Sequence, residues 1–230
     1  MQLKILSWNI WIDGHFDQIV DFLKTSDADI IGLQEVQTDD PKRDVIKYLE
    51  GLGYKYVFAP VTKEWGGKVW KDGPAIFSRY NIIESKTHTL SEVNSRAAIQ
   101  ADIQVGNNKA LHVFSTHLLH THQKPDELQV MQVDSLIKVL PGDNTIVMGD
   151  FNAAPDSIAI QKMRGIMMDA DPASSPTWSV YPEGCSKCIP QAINTRLDYI
   201  FTSKDIKTSS FKVENSKGSD HLPISVIVEI

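Results

Sequence analysis

Residues 75–116 read AIFSRYNIIESKTHTLSEVNSRAAIQADIQVGNNKALHVFST, and this stretch decides the fold. It holds four strand-like runs, at 75–78, 82–90, 97–105 and 110–116, rich in β-branched and aliphatic residues. A parallel pair of strands needs a crossover of about a dozen residues or more, usually a helix. The gaps between these runs are too short for one, so they predict antiparallel hairpins. A purely parallel, doubly wound sheet therefore fits the middle of the chain badly.

The flanks read differently. Toward the N-terminus, a strand at 3–8 precedes Phe16, Ile19, Val20 and Leu23, a helical stripe at i, i+3, i+4 and i+7. A buried strand follows at 30–34. Val45, Leu49 and Leu52 then mark a second helix between Pro41 and Gly53, and a further strand spans 54–61. Toward the C-terminus, Val130, Val133, Ile137 and Leu140 predict a third helix stopped by Pro141-Gly142, followed by a strand at 145–148. Pro155 and Asp156 open a short fourth helix to about Met163, and strands follow at 197–202, 211–214 and 222–228. Strand–helix units at both ends around a central meander predict an α/β protein, a four-layer αββα sandwich of two mixed sheets flanked by helices. With no repeat, low-complexity tract or linker, residues 1–230 read as a single domain.

Two long stretches, 62–73 with Trp65 and Trp70, and 172–195 with Trp178 and Tyr181, read as surface loops. Their aromatic rings are candidates either to touch substrate, Trp178 foremost, or to staple the loops to the body. Cys185 and Cys188 are the only cysteines. They read as loop thiols or a small local disulfide, because a zinc site needs about four ligands.

A formal charge of −6 argues against a protein that wraps nucleic acid, which would carry an excess of Lys and Arg. It leaves room for an enzyme that touches a few phosphates. No apolar run approaches the roughly 18 residues of a membrane span. Met1-Gln2-Leu3-Lys4-Ile5 enters a strand with no leader-like pattern, so the expectation is a cytoplasmic, monomeric protein.

Polar islands sit at the edges of the strand-like runs: Ser7-Trp8-Asn9, Gln34-Glu35, Thr116-His117, Gly149-Asp150-Phe151-Asn152, Arg196-Leu197-Asp198 and Ser219-Asp220-His221. Each alone reads as a strand end or turn. Together they hold carboxylates, carboxamides and imidazoles, the groups that bind a hard cation and move protons. Asp150 and Asn152, two residues apart, fall on one side of an extended chain. Asp198 is placed to orient the His221 imidazole. His120 and His122 read as surface residues.

These islands, in this order, resemble the endonuclease/exonuclease/phosphatase superfamily, the metal-dependent hydrolases related to pancreatic-type deoxyribonuclease. The matching segments are Ser-Trp-Asn, Leu-Gln-Glu-Val, Ser-Thr-His-Leu, Gly-Asp-Phe-Asn, Arg-Leu-Asp-Tyr-Ile and Ser-Asp-His-Leu-Pro, running from Ser7 to Pro223. The resemblance implies the αββα fold and Mg²⁺-dependent hydrolysis of phosphoesters, with Mn²⁺ as a substitute. It assigns Glu35, Asn9 and Asp220 to the metal and Asp150 to the attacking water. It assigns Asn152 and Arg96 to phosphate oxygens, His117 to the phosphate or leaving oxygen, and Asp198 and His221 to an Asp–His pair. Relatives that act on abasic DNA carry Asn-x-Asp in the first motif and tyrosine at the position of His117. Trp11 and His117 move this chain away from that branch. Asp13 and Asp72 are further candidate carboxylates, Asp72 as a partner of His117.

The reading favoured by the sequence is a phosphodiester hydrolase acting on nucleic acid, a nuclease or a DNA-end phosphodiesterase. The alternative within the same superfamily is an inositol-phosphate phosphatase or a sphingomyelinase-like phospholipase C. A binding module that has lost catalysis is disfavoured, because every expected residue type is present.

Overall fold

The computed structural model describes residues 1–65, 67–106, 109–181 and 192–230; Cys185 and Cys188 lie outside them. In chain order the elements are β1 (Gln2–Asn9), α1 (Phe16–Ser26), β2 (Ile30–Gln37), α2 (Val45–Gly51), β3 (Lys55–Phe58), β4 (Val61–Trp65), β5 (Lys68–Ser78), β6 (Ile82–Ser91), β7 (Arg96–Gln104) and β8 (Ala110–His117). Then come α3 (Glu127–Ile137), β9 (Thr145–Asp150), α4 (Ile158–Ile166), β10 (Met168–Asp169), β11 (Asp198–Thr202), β12 (Lys207–Val213) and β13 (Ile224–Glu229).

The strands form two mixed sheets. One runs β12-β13-β1-β2-β5-β3, with β4 also on β5, and the other runs β10-β11-β9-β8-β7-β6. Within each, one pair is parallel, β1 with β2 and β8 with β9, and the other pairs are antiparallel. Of the meander predicted from 75–116, β6, β7 and β8 pair as antiparallel hairpins, whereas β5 belongs to the other sheet, so the short link from β5 to β6 crosses between the sheets instead of turning a hairpin.

Period-two alternation divides the apolar residues among three cores. Leu3 and Ile5 of β1, Ile99 and Ile103 of β7, Val113 of β8 and Met148 of β9 meet between the sheets. Leu6 and Trp8, on the other face of β1, pack with Ile19 and Leu23 of α1 and Leu49 of α2. Val147 and Phe201 cover the opposite flank with Val133 of α3 and Met163 of α4. Three cores between four layers give the αββα sandwich. Each fully buried Leu, Ile or Phe contributes about 1.5–3 kcal/mol.

Three local expectations are corrected. Residues 54–61 do not form one strand: they break at Ala59-Pro60 into β3 and β4, since proline cannot donate to a ladder. Residues 62–73 are not a loop but the hairpin β4–β5, with Trp65 opposite Lys68. The Gly66-Gly67 dipeptide is a strong hairpin signal, and Gly67 takes a φ of 74°. The third helix ends at Ile137, short of Leu140.

Candidate active site

The same alternation that builds the inner core builds the site. Along β1, Leu3, Ile5, Ser7 and Asn9 share the face turned to the other sheet; along β8 it is Leu111, Val113, Ser115 and His117. Along β9 it is Ile146, Met148 and Asp150. Apolar at the middle, these rows turn polar at one end. Just beneath the site the Gln34 amide donates to Ser115 Oγ across the sheets at 3.1 Å. Asn9, His117 and Asp150 then close the inter-sheet core.

Glu35 breaks the alternation. By parity it belongs with Leu33, on the face packed against α1 and α2. A β-bulge lies between Leu33 and Val36 against β5, and Glu35 takes a φ of 59°. The bulge re-aims the side chain toward the inter-sheet mouth. Its Oε1 accepts from Asn9 Nδ2 at 3.1 Å and its Oε2 from the Ile12 amide at 2.7 Å.

Asp150 is the hub. Its Oδ2 accepts from Asn9 Nδ2 at 3.0 Å and Asn152 Nδ2 at 3.2 Å, and its Oδ1 accepts from the Asn152 backbone amide at 2.8 Å. His117 Nε2 and His221 Nε2 approach the same Oδ2 at 3.4 and 3.6 Å. Asn152, at a φ of 49°, also donates to the Leu118 carbonyl. Gly149 makes this geometry reachable: a Cβ there would stand 2.0 Å from the Thr116 carbonyl oxygen, and its φ is 147°.

Behind His221 stands Asp198, fully buried, with Oδ2 at 2.9 Å from Nδ1 of the imidazole. Thr177 Oγ donates to that same oxygen at 2.6 Å. Trp8 Nε1 donates to the His221 carbonyl, which pins the backbone. Arg196, 2% exposed, donates to the Asp198 carbonyl and to both oxygens of Asp169, and its guanidinium lies 4.1 Å over the Tyr199 ring.

The two imidazoles are shifted in opposite directions. Burial works against a charge on His221, but the carboxylates of Asp198, Asp150 and Asp220 outweigh it and raise its pKa well above the ordinary value. Burial lowers the pKa of His117 well below that value, helped by Arg96 and Lys63. Burial also raises the Asp150 carboxyl, against the pull of His221. Two like groups pushed apart in this way are suited to different parts in one reaction.

Arg96 Nη1 donates to the His117 carbonyl at 3.4 Å, and its Nε is buried with no partner among the described residues. Asp72 does not pair with His117: its Oδ2 takes Lys63 Nζ at 2.6 Å, across the β4–β5 hairpin. Asp13 is exposed. Asp220 is occupied by Trp178 Nε1 at 3.1 Å and Ser219 Oγ at 3.3 Å. Trp178 is 3% exposed and bridges both Thr195 and His221, so it staples its loop rather than presenting a ring at the surface. His120 is half-buried. Its Nδ1 lies 2.9 Å from Asn152 Oδ1 and its Nε2 3.0 Å from His122 Nδ1. The tight His-x-x-His-x-His spacing was the signal for this relay.

Asp150, Asp198 and His221 present ligand atoms within 4.8 Å of one another. Yet the Nδ1 of His221 is already taken by Asp198, which favours the protonated imidazole, a poor metal ligand. The Glu35–Asp150 side suits a hard divalent cation better. Two carboxylates there share one neutral amide, that of Asn9, and such cations take oxygen donors.

The profile of the Endonuclease/Exonuclease/phosphatase family matches residues 6–221. No curated protein matches the sequence. Among solved structures, the chain is similar to an endonuclease/exonuclease/phosphatase from Bacteroides vulgatus, at 21% identity and a TM-score of 0.79 over 100% of this chain and 99% of that one. It is similar to the human Nocturnin catalytic domain with bound sulfate anion, at 21% identity and 0.69 over 99% and 93%. It is also similar to ANGEL2, a 2′,3′-cyclic phosphatase, in complex with adenosine-2′,3′-vanadate, at 17% identity and 0.74 over 99% and 95%. At these identities the likeness to each structure is one of fold. No described helix is long and apolar enough to cross a membrane.

Proposed function

Because the chain belongs to the Endonuclease/Exonuclease/phosphatase family, whose members hydrolyse phosphoric esters, we propose that it is a Mg²⁺-dependent phosphodiesterase acting on nucleic acid or nucleotide esters. The observation that carries the hydrolytic reading is the convergence on Asp150 of Asn9, Asn152, His117 and His221, with Glu35 tied in through Asn9.

In this reading Glu35 and Asp150 hold the cation, with Asn9 fixing their separation. When bound, Mg²⁺ supplies Lewis-acid stabilisation of phosphoryl charge. Asp150 positions the attacking water and takes its proton. Cationic His221, steadied by Asp198, stabilises the charge gathering on the equatorial oxygens. Asn152 and neutral His117 donate hydrogen bonds to the phosphoryl group without adding a full charge. Arg96, with its unpartnered Nε, offers a fixed cation beside them. The half-buried Trp11 and Tyr181 rings, stacked at 5.7 Å, stand beside the first motif and suit a base at the mouth.

Glu35→Gln and Asp150→Asn are expected to lower Mg²⁺-dependent phosphodiesterase turnover by about 10²-fold or more while the fold persists. The assay compares single-stranded, duplex and 5′-modified DNA, RNA, 2′,3′-cyclic nucleotides, inositol phosphates and sphingomyelin. Near-normal rates in either variant refute the assignment, and cleavage of inositol or lipid esters alone overturns the substrate.

A further inference from the structure

The two ends of the Asn152 carboxamide are told apart by their neighbours. Its Nδ2 faces two oxygens, the Leu118 carbonyl at 3.1 Å and Asp150 Oδ2 at 3.2 Å. A carbonyl and an ionised carboxylate only accept, so the nitrogen belongs on that side and the oxygen on the other. There Oδ1 meets His120 Nδ1 at 2.9 Å. An amide oxygen offers no proton, so Nδ1 of His120 carries one and donates it. On the far edge of the ring, His120 Nε2 lies 3.0 Å from His122 Nδ1, with the two rings perpendicular at 4.5 Å. A neutral His120 accepts there from His122, and a charged one donates to it. Nδ1–H is present in both forms, so the bond to Asn152 does not depend on the charge of the ring.

This contact is not needed to fasten the chain. The Leu118 amide donates to the Asp150 carbonyl at 2.9 Å. The Leu119 amide donates to Gln132 Oε1, and Gln129 Nε2 donates to the carbonyls of Leu119 and Asn152. The segment leaving β8 is therefore tied to α3 and to the end of β9 by groups other than the His120 ring, which is half-buried. Beyond it, His122 and Gln123 take φ values of 52° and 57°, a left-handed backbone that non-glycine residues adopt at a cost. At this turn the His122 ring lies against His120.

What the bond controls is which end of the amide meets the phosphate. The last torsion of an asparagine side chain is broad and roughly two-fold, and its two settings exchange the oxygen and the nitrogen. In the proposed function the NH₂ end donates to a phosphoryl oxygen. The other setting would turn an oxygen toward that anion. Asp150 is a weak guard against this, because its carboxylate is then engaged with the attacking water. His120 holds the amide by its other end and takes no part in that competition.

We propose that His120 is a positioning residue, whose Nδ1–H locks the Asn152 carboxamide with its NH₂ end toward the phosphoryl group, and that His122 steadies the His120 ring. The inference rests on the phosphodiesterase reading above and adds to it a residue that acts through Asn152. The test follows Mg²⁺-dependent hydrolysis of bis(4-nitrophenyl) phosphate. His120→Leu, which has no donor, lowers kcat by about tenfold and leaves KM within about twofold. His120→Asn, whose side-chain amide sets an N–H near the place of Nδ1, recovers most of that loss. In an Asn152→Ala background His120→Leu has no further effect, because the two residues act as a unit. Three results overturn the lock and leave the hydrolase intact: full activity in His120→Leu, equal losses in His120→Leu and His120→Asn, or an undiminished His120→Leu loss in the Asn152→Ala background. Hydrolysis of no phosphodiester by wild-type protein strikes instead at the phosphodiesterase reading. NMR of the metal-free protein then decides the lock, as it does where His120→Leu fails to fold. A ¹H–¹⁵N correlation of the imidazole nitrogens, assigned by the signals lost in His120→Asn, shows a proton on His120 Nδ1 if the lock is present. A proton on Nε2 alone overturns it.

Discussion

At the scale of single residues, the Asp198–His221 pair makes a prediction about stability as well as turnover. The folded-state pKa of His221 is raised by Asp198, Asp150 and Asp220 against the cost of burial. A histidine raised in this way contributes stability that is fully present below its unfolded value of about 6.5 and is lost as pH climbs through the folded value. The metal-free protein should therefore lose urea resistance as pH rises from about 6.5. The loss is bounded by one proton, about 1.4 kcal/mol per pH unit. His221→Gln should flatten that decline, and superimposable pH profiles for the two proteins would refute the pairing. The residues of this pair were legible in the sequence, because Asp198 and His221 both flank strand-like runs and act where alternation leaves them. Glu35 was legible as a candidate but not as a geometry, since its parity points the wrong way and only the bulge turns it inward. Trp178 misled, because an aromatic in a loop rich in proline and serine looks exposed. Here its indole N–H finds Asp220 inside the protein.

At the scale of elements, the site depends on how closely β8 and β9 run. Gly149 lies where the Thr116 carbonyl would be 2.0 Å from any Cβ, and its φ of 147° is closed to L side chains. Gly149→Ala must therefore push the strand ends apart or strain the backbone. We expect a loss of about 2–4 kcal/mol in urea unfolding with little change in m, and lower turnover from a displaced Asp150. A variant as stable as wild type would show that the two strands are free to separate at no cost. Element types were readable because apolar periodicity is local. The hairpin β4–β5 was missed because Trp65-Gly66-Gly67 looks like loop composition, and β4 and the first half of β5 carry no apolar run. Only their pairing with each other makes these segments strands.

At the scale of the whole molecule, the layers were legible because strand–helix units flank a run of closely spaced strands, whereas the strand order was not, since it pairs β13 with β1, β2 with β5 and β11 with β9. What no local pattern carries is the charge field at the mouth. The chain carries −6 overall, and the fixed cations near His117 are Arg96 and Lys63, the latter already paired with Asp72. On the proposed reading, a phosphodiester substrate is gripped through very few phosphates, with binding concentrated at the reacting centre. Release of condensed counterions scales with the number of phosphates neutralised, at about 0.7 per contact for a single strand. Plotted as log kcat/KM against log salt between about 50 and 200 mM, hydrolysis of single-stranded oligonucleotides should fall with a slope no steeper than about −2. Mg²⁺ is held constant in excess, so that competition at the metal does not add to the slope. A slope beyond about −5 would require a broad cationic track. The single-pocket account of substrate binding would then fail.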